Sequence, residues 1–238
     1  MGLLLYHLNF PAAFGGDGAG KAAVRIEAGK IAEVVPRLEA FPEGEPAFDC
    51  GGRTLTPGLI DLHTHFTGLG EVFSPSHCKD PMKLLASAIG PAGQYLDHGF
   101  TTIRDCGSVG RVANYVRDLG EGGLVRAPHI LSSGLILSPT EIEQADSIYE
   151  MYAFADGSYA FRAAARRELA EHADFIKLMA SGAAFHPQGV PKEPIIAPDE
   201  LREAVETAAR KGTYVAAHAH ADGAIRACIE AGVRTVEH

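Results

Sequence analysis

The chain lacks any run of roughly 18 apolar residues, so nothing in it reads as a membrane-spanning helix. Cationic charge is in deficit: 21 Lys and Arg stand against 30 Asp and Glu, a net charge of −9. That argues against nucleic acid as a partner, because a phosphate backbone is bound chiefly through clustered cations. Cysteine is sparse and scattered (Cys50, Cys78, Cys106, Cys228), with no CxxC pair and no short-domain disulfide framework. Such usage fits reduced thiols and a cytoplasmic location. Residues 1–14 have no basic leader region or small-residue cleavage site, and read as a first strand rather than a signal peptide. Glycine (27) and proline (14) are abundant but follow no period, which excludes a collagen-like chain and leaves many tight connections.

With 238 residues, 46% hydrophobic and 21% charged, the chain has the means to bury a core. At roughly 150 residues per domain it holds one large domain, alone or with a small satellite. Residues 1–57 carry short strand-like runs at 3–8, 22–27, 30–36 and 48–56, punctuated by glycines, with Ala28-Gly29-Lys30 placed as a hairpin turn. From residue 58 the pattern becomes strand, loop, helix, repeated. Strands are expected at 59–66, 101–106, 129–133, 174–179, 213–218 and 233–238. Helices are expected at 81–98, 109–119, 158–172, 198–210 and 222–231. Apolar strands alternating with helices imply a parallel sheet covered by helices. A doubly wound sheet and a (β/α)8 barrel both fit, but no GxGxxG follows the first strand, and polar residues gather at strand C-termini, where barrel enzymes build their sites. Six strands do not close a barrel of eight, so the sequence reads as part of a longer protein. With two open parallel edges it is expected to associate with itself.

Eleven histidines are present, and their placement is informative. His63 and His65 lie two apart at a strand end and so share a face. Asp61 lies on the same face one step deeper, as a partner to them or as the cap of a local turn. Alone, an HxH pair is equally well explained by two surface histidines. His218 and His220 form a second such pair, and His238 ends the sixth strand. Lys177 sits inside the apolar run Phe175-Ile176-Lys177-Leu178-Met179. It reads either as a snorkelling strand-end lysine or as an amine kept neutral by burial. Three strands ending in histidine and a fourth carrying lysine, all meeting at one sheet edge, point to a metal site, for which imidazole suits zinc.

The run Leu55-Thr56-Pro57-Gly58-Leu59-Ile60-Asp61-Leu62-His63-Thr64-His65 resembles the entry motif of the amidohydrolase superfamily. Gly99-Phe100-Thr101-Thr102-Ile103-Arg104-Asp105 resembles the second strand of its imidazolonepropionase-like and prolidase-like branch. Ala173-Asp174-Phe175-Ile176-Lys177 is similar to the fourth strand, and residues 215–238 to the fifth and sixth. The resemblance implies a (β/α)8 barrel, here residues 58–238, with residues 1–57 forming part of a small β-sandwich. It also implies two divalent metal ions, zinc by preference. His63 and His65 would hold one and His218 and His238 the other, with a carbamate made from carbon dioxide on Lys177 bridging them. His220 would lie at the substrate. The family's general-base aspartate, at the end of an eighth strand, has no counterpart here. The loops 135–157 and 180–197, the latter with His186, are expected to contact substrate.

The implied activity is hydrolysis of an amide or peptide bond in a small molecule such as a dipeptide, an N-acyl amino acid or a cyclic amide. Two other readings remain at this point. One is a deaminase or imidazolone hydrolase with a single metal, against which Lys177 speaks. The other is a non-catalytic relative, or a truncated product inactive by itself, that serves as a binding or assembly module.

Overall fold

The computed structural model describes residues 2–14, 20–38, 44–66, 80–140, 149–183 and 193–238. Cys78 and His186 lie outside the described residues, as do parts of both loops named above. The chain divides into two compact units, Met1–Gly58 and Leu59–His238.

In the first unit, β1 (Leu3–Leu8), β2 (Ala22–Glu27), β3 (Lys30–Val35) and β4 (Ala47–Asp49) form one sheet in the order β3-β2-β1-β4. β1 pairs antiparallel to β2 and parallel to β4, and β2 pairs antiparallel to β3. The hairpin turns at Ala28 and Gly29, both at positive φ (50° and 75°), the geometry a two-residue hairpin loop requires. Leu8, Ala22, Val24 and Cys50 form its buried centre. The strand expected over 48–56 is only three residues long, because Gly51 and Gly52 both take positive φ and turn the chain.

The strands described in the second unit pair in parallel, and one isolated antiparallel bridge joins Ser181 and Pro194. β5 (Leu59–Thr64), β6 (Phe100–Asp105) and β7 (His129–Ser132) make a three-stranded sheet. β8 (Ile136–Ser138), β9 (Tyr152–Phe154), β10 (Ile176–Met179), β11 (Val215–His218) and β12 (Thr235–Glu237) make a five-stranded one in the order β12-β11-β10-β8-β9. Asp174 bridges the two sheets: its N–H donates to Ser132 O (2.7 Å), and its carboxylate accepts from Ser132 N (2.8 Å). The stretch 135–157 is thus not purely a connection, since it contributes β8 and β9. Three-residue strands carry too little alternation to be recognised in sequence.

Among the described residues five α-helices follow the strands: α1 (Pro81–Asp97), α2 (Val112–Glu121), α3 (Ser158–Ala170), α4 (Pro198–Arg210) and α5 (Asp222–Ala231). Asp80 caps α1 by accepting from Met82 N and Lys83 N, and Pro81 supplies the pre-set φ of a first helical residue. Glu200, in the first turn of α4, accepts from Ala197 N (2.8 Å) and from Gly157 N at the start of α3 (2.6 Å), so one carboxylate ties two helix beginnings together.

Strand alternation decides what faces the site. Ile176 and Leu178 of β10, with Val215 and Ala217 of β11, join the buried cluster that includes Phe161 of α3, Leu201 of α4 and Cys228 of α5. Lys177, Ala216 and His218 therefore point to the opposite side. There Cys106, Phe175 and Ala216 form a separate small cluster. Among the described residues no helix is long and apolar enough to cross a membrane.

Candidate metal centre

Imidazoles from three strand ends meet on the side away from the helices. Ring centroids lie 5.3 Å apart for His63 and His65, 4.6 Å for His63 and His238, and 4.7 Å for His218 and His238. His220 stands 4.6 Å from His218 and 5.3 Å from His238. His238 reaches this group although Glu237 also points inward. Its φ of +74° turns the chain at the end of β12 and breaks the two-residue alternation. Lys177 is 2% exposed, and among the described residues no salt bridge satisfies it. Burial pushes its pKa down to about 8, against the pull of Cys106 and Glu237.

The hydrogen bonds show which nitrogens are free. His65 Nδ1 lies 2.8 Å from Gly107 O, and a carbonyl only accepts, so Nδ1 carries the proton and Nε2 the lone pair. By the same argument His218 donates from Nε2 to Gly182 O (3.0 Å) and keeps its lone pair on Nδ1. His63 Nε2 is buried with no hydrogen-bond partner among the described residues. Burial holds His65 and His238 down to about 4 and His218 to about 3, so all three rings are neutral at pH 7. Neutral imidazoles suit a divalent metal, and a buried nitrogen without a partner, as at His63 Nε2, is costly unless something occupies it.

Asp61 accepts the backbone N–H of His63 (3.1 Å) and so shapes the strand end. Asp105 is fully buried and accepts from Phe66 N (2.6 Å), Ser108 Oγ (2.7 Å) and Gly107 N (3.0 Å), which fixes the turns after β5 and β6 together. Burial raises it to about 6 in spite of those donors.

Several neighbours of the histidines were not singled out in the sequence: Arg104, Cys106, Gly107, Gly182 and Glu237. A His63 nitrogen, Cys106 Sγ and a Glu237 oxygen lie within 4.8 Å of one another, a set able in principle to hold a metal. Two facts count against that use. Burial pushes the Cys106 thiol up to about 12, and both Glu237 oxygens are already engaged by His63, Arg104 and Thr235.

Residues 54–238 match the profile of the amidohydrolase family. The chain belongs to that family. It is 30% identical over 209 residues to the ochratoxinase of Aspergillus niger, a match covering 77% of this chain and 43% of that protein. A crystal structure of a Xaa-Pro dipeptidase with methionine bound in its active site superposes with a TM-score of 0.83 at 25% identity. A prolidase complexed with N-methylphosphonate-L-proline gives 0.82 at 28%. Both superpositions cover 100% of this chain and 61% of the other. The chain therefore spans less than two thirds of the length of these relatives.

The histidine shifts set the acid stability of this amidohydrolase chain in its metal-free form. A ring whose folded pKa lies below its unfolded 6.5 leaves stability intact above pH 6.5, and stability is lost as pH falls toward the folded value. Asp105, raised from 3.8 to about 6, acts oppositely and favours the folded state as pH falls from 6 to 4. Three groups outweigh one. Melting temperature is expected to drop steadily from pH 6.5 to pH 4 in scans without metal, and a flat or rising profile would contradict the burial of neutral rings.

Proposed function

We propose that this amidohydrolase is a hydrolase of carbon–nitrogen bonds with a two-metal centre. His63 and His65 hold one divalent ion and His218 and His238 the other, and Lys177, carboxylated, joins them. The observation that carries the reading is the gathering of the His63, His65, His218 and His238 rings, the His65 and His218 lone pairs set by their hydrogen bonds, with a buried lysine that no salt bridge satisfies among the described residues. At a pKa of about 8 a useful fraction of that amine is neutral at pH 7. A neutral amine adds to carbon dioxide and releases one proton, leaving an N-carboxylate anion. That anion offsets the charge of two cations and gives each a further ligand, which two histidines alone do not complete for zinc. When bound, the ions would activate water near neutral pH and polarise the scissile carbonyl.

The chain's own residues have separable tasks in this reading. Gly107 O and Gly182 O orient the His65 and His218 rings. His220, exposed beside His218 and His238, meets the substrate. The substrate class is a small amide such as a dipeptide or N-acyl amino acid, a reading supported by relatives named for Xaa-Pro dipeptides and by a prolidase bound to a proline phosphonate. The architecture we infer is the (β/α)8 barrel, residues 58–238 supplying its first six units and residues 1–57 part of a small sandwich. Exposed Ile60 and Leu62 on the outer face of β5 support it, since barrel strands are covered by helices.

Metal analysis and carbon NMR test the proposal together. The full-length protein, loaded with zinc in labelled bicarbonate, should hold two ions per chain, show one carbamate resonance and hydrolyse members of a dipeptide and N-acyl amino acid panel. One ion with no carbamate would favour the deaminase-like alternative, and no bound metal would remove both.

A further inference from the structure

Glu237 is buried, and its carboxylate is fixed from both sides. Oε2 lies 2.8 Å from His63 Nδ1, while Oε1 accepts from Arg104 Nη2 (2.6 Å) and Thr235 Oγ1 (2.7 Å). Arg104 is itself held. Its Nε donates to Leu62 O (2.6 Å), the carbonyl just before His63, its Nη1 lies 3.1 Å from Thr235 Oγ1, and its guanidinium covers the Phe175 ring at 5.5 Å. One arginine from β6 thus grips the backbone beside His63 on β5 and the carboxylate from β12 that meets the His63 ring.

We propose that Glu237, clamped by Arg104 and Thr235, is the positioning residue of His63: it accepts the Nδ1 proton and thereby turns the bare Nε2 into the site. An ionised carboxylate only accepts, so Nδ1 must be the protonated nitrogen. The lone pair is then left on Nε2, the atom that is buried without a partner. The carboxylate also makes the imidazole a stronger donor, and removing such a partner from a metal ligand typically costs about 10- to 100-fold in affinity. Val236 does not substitute, because strand alternation puts it on the face opposite Thr235 and Glu237. The consequence for metal binding rests on the two-metal reading above; the tautomer does not.

The decisive measurement is the tautomer of His63 in metal-free protein, read by long-range proton–nitrogen correlation with labelled imidazoles and assigned by loss of the signal in His63→Asn. The native protein should show Nδ1–H and a bare Nε2. Glu237→Gln should populate the Nε2–H form and weaken zinc binding by about 10- to 100-fold. Thr235→Val, which keeps the charge and removes one clamp, should move both readouts in the same direction by less. A native Nε2–H form overturns the proposal, as does a folded Glu237→Gln protein with unchanged tautomer and zinc affinity. Should Glu237→Gln not fold, the native tautomer and Thr235→Val decide. A native protein with the expected tautomer that binds no zinc upholds the positioning of His63 and sinks the two-metal reading.

Discussion

In the full-length protein, replacing Lys177 by Ala is expected to remove most of the bound zinc and nearly all of the hydrolytic activity. Lys177 is 2% exposed on the site side of β10, with Ile176 and Leu178 turned toward the helices. Its register partners are Ala216 on β11 and Ile136 on β8, neither of which offers a ligand in its place. Without the bridge, the proposed ligand sets are two histidines each, too few for the four donors zinc takes. Metal activation of water and carbonyl contributes several kcal/mol to such a reaction, so the loss should reach about 1,000-fold. Stability should move little or improve, because the substitution removes an amine whose charged form burial disfavours. Acetate or propionate is small enough to enter the space vacated by the lysine stem and present a carboxylate, and should restore part of both metal content and rate. A Lys177→Ala protein that retains two zinc ions and normal turnover would refute the bridge.

Apart from β8 and β9, the described strands and helices of the second unit were legible because each satisfies a local rule. Apolar runs end in polar residues, Pro198 opens α4, and Gly232 at φ +84° closes α5. The pairs His63/His65 and His218/His220 were legible through spacing, since residues two apart on a strand share a face, Lys177 as a charge inside an apolar run and His238 as a strand end; the roles given to them came from the family resemblance. What supports them was not. Glu237 meets His63 across 174 residues and Arg104 meets Glu237 across 133, pairings that no local pattern records. Strict alternation would have put Glu237 and His238 on opposite faces. The positive φ at His238 brings both inward, and a non-glycine residue gives no sequence signal for that. Nothing local distinguishes Gly107 from the other glycines, although its carbonyl is what selects the lone pair of His65.

Gly107→Ala is expected to be among the most damaging single substitutions in the chain. Gly107 has φ +122°, a conformation L side chains rarely adopt, and a Cβ there would lie 2.3 Å from Cγ1 and 2.7 Å from Cδ1 of Ile136. Backbone strain of about 1–3 kcal/mol adds to overpacking of similar size. Together these amount to a large share of the 5–15 kcal/mol that holds a typical domain. The chain has poor means of relief, because Gly107 N donates to buried Asp105 and Gly107 O receives the His65 proton. Any shift that frees the new methyl group therefore loosens the turn beside β5 and releases the His65 ring. Denaturant titration should show the stability loss, and zinc affinity should fall in whatever fraction stays folded. The steric and backbone parts are separable. Ile136→Ala alone opens a cavity and costs about 2–5 kcal/mol, but it removes both atoms that a Cβ at 107 would strike. The double variant should then be more stable than the sum of the single losses predicts, by about 1–3 kcal/mol. Strict additivity would mean that Ile136 is not what excludes a side chain, and would leave the backbone conformation as the whole reason for glycine at this position.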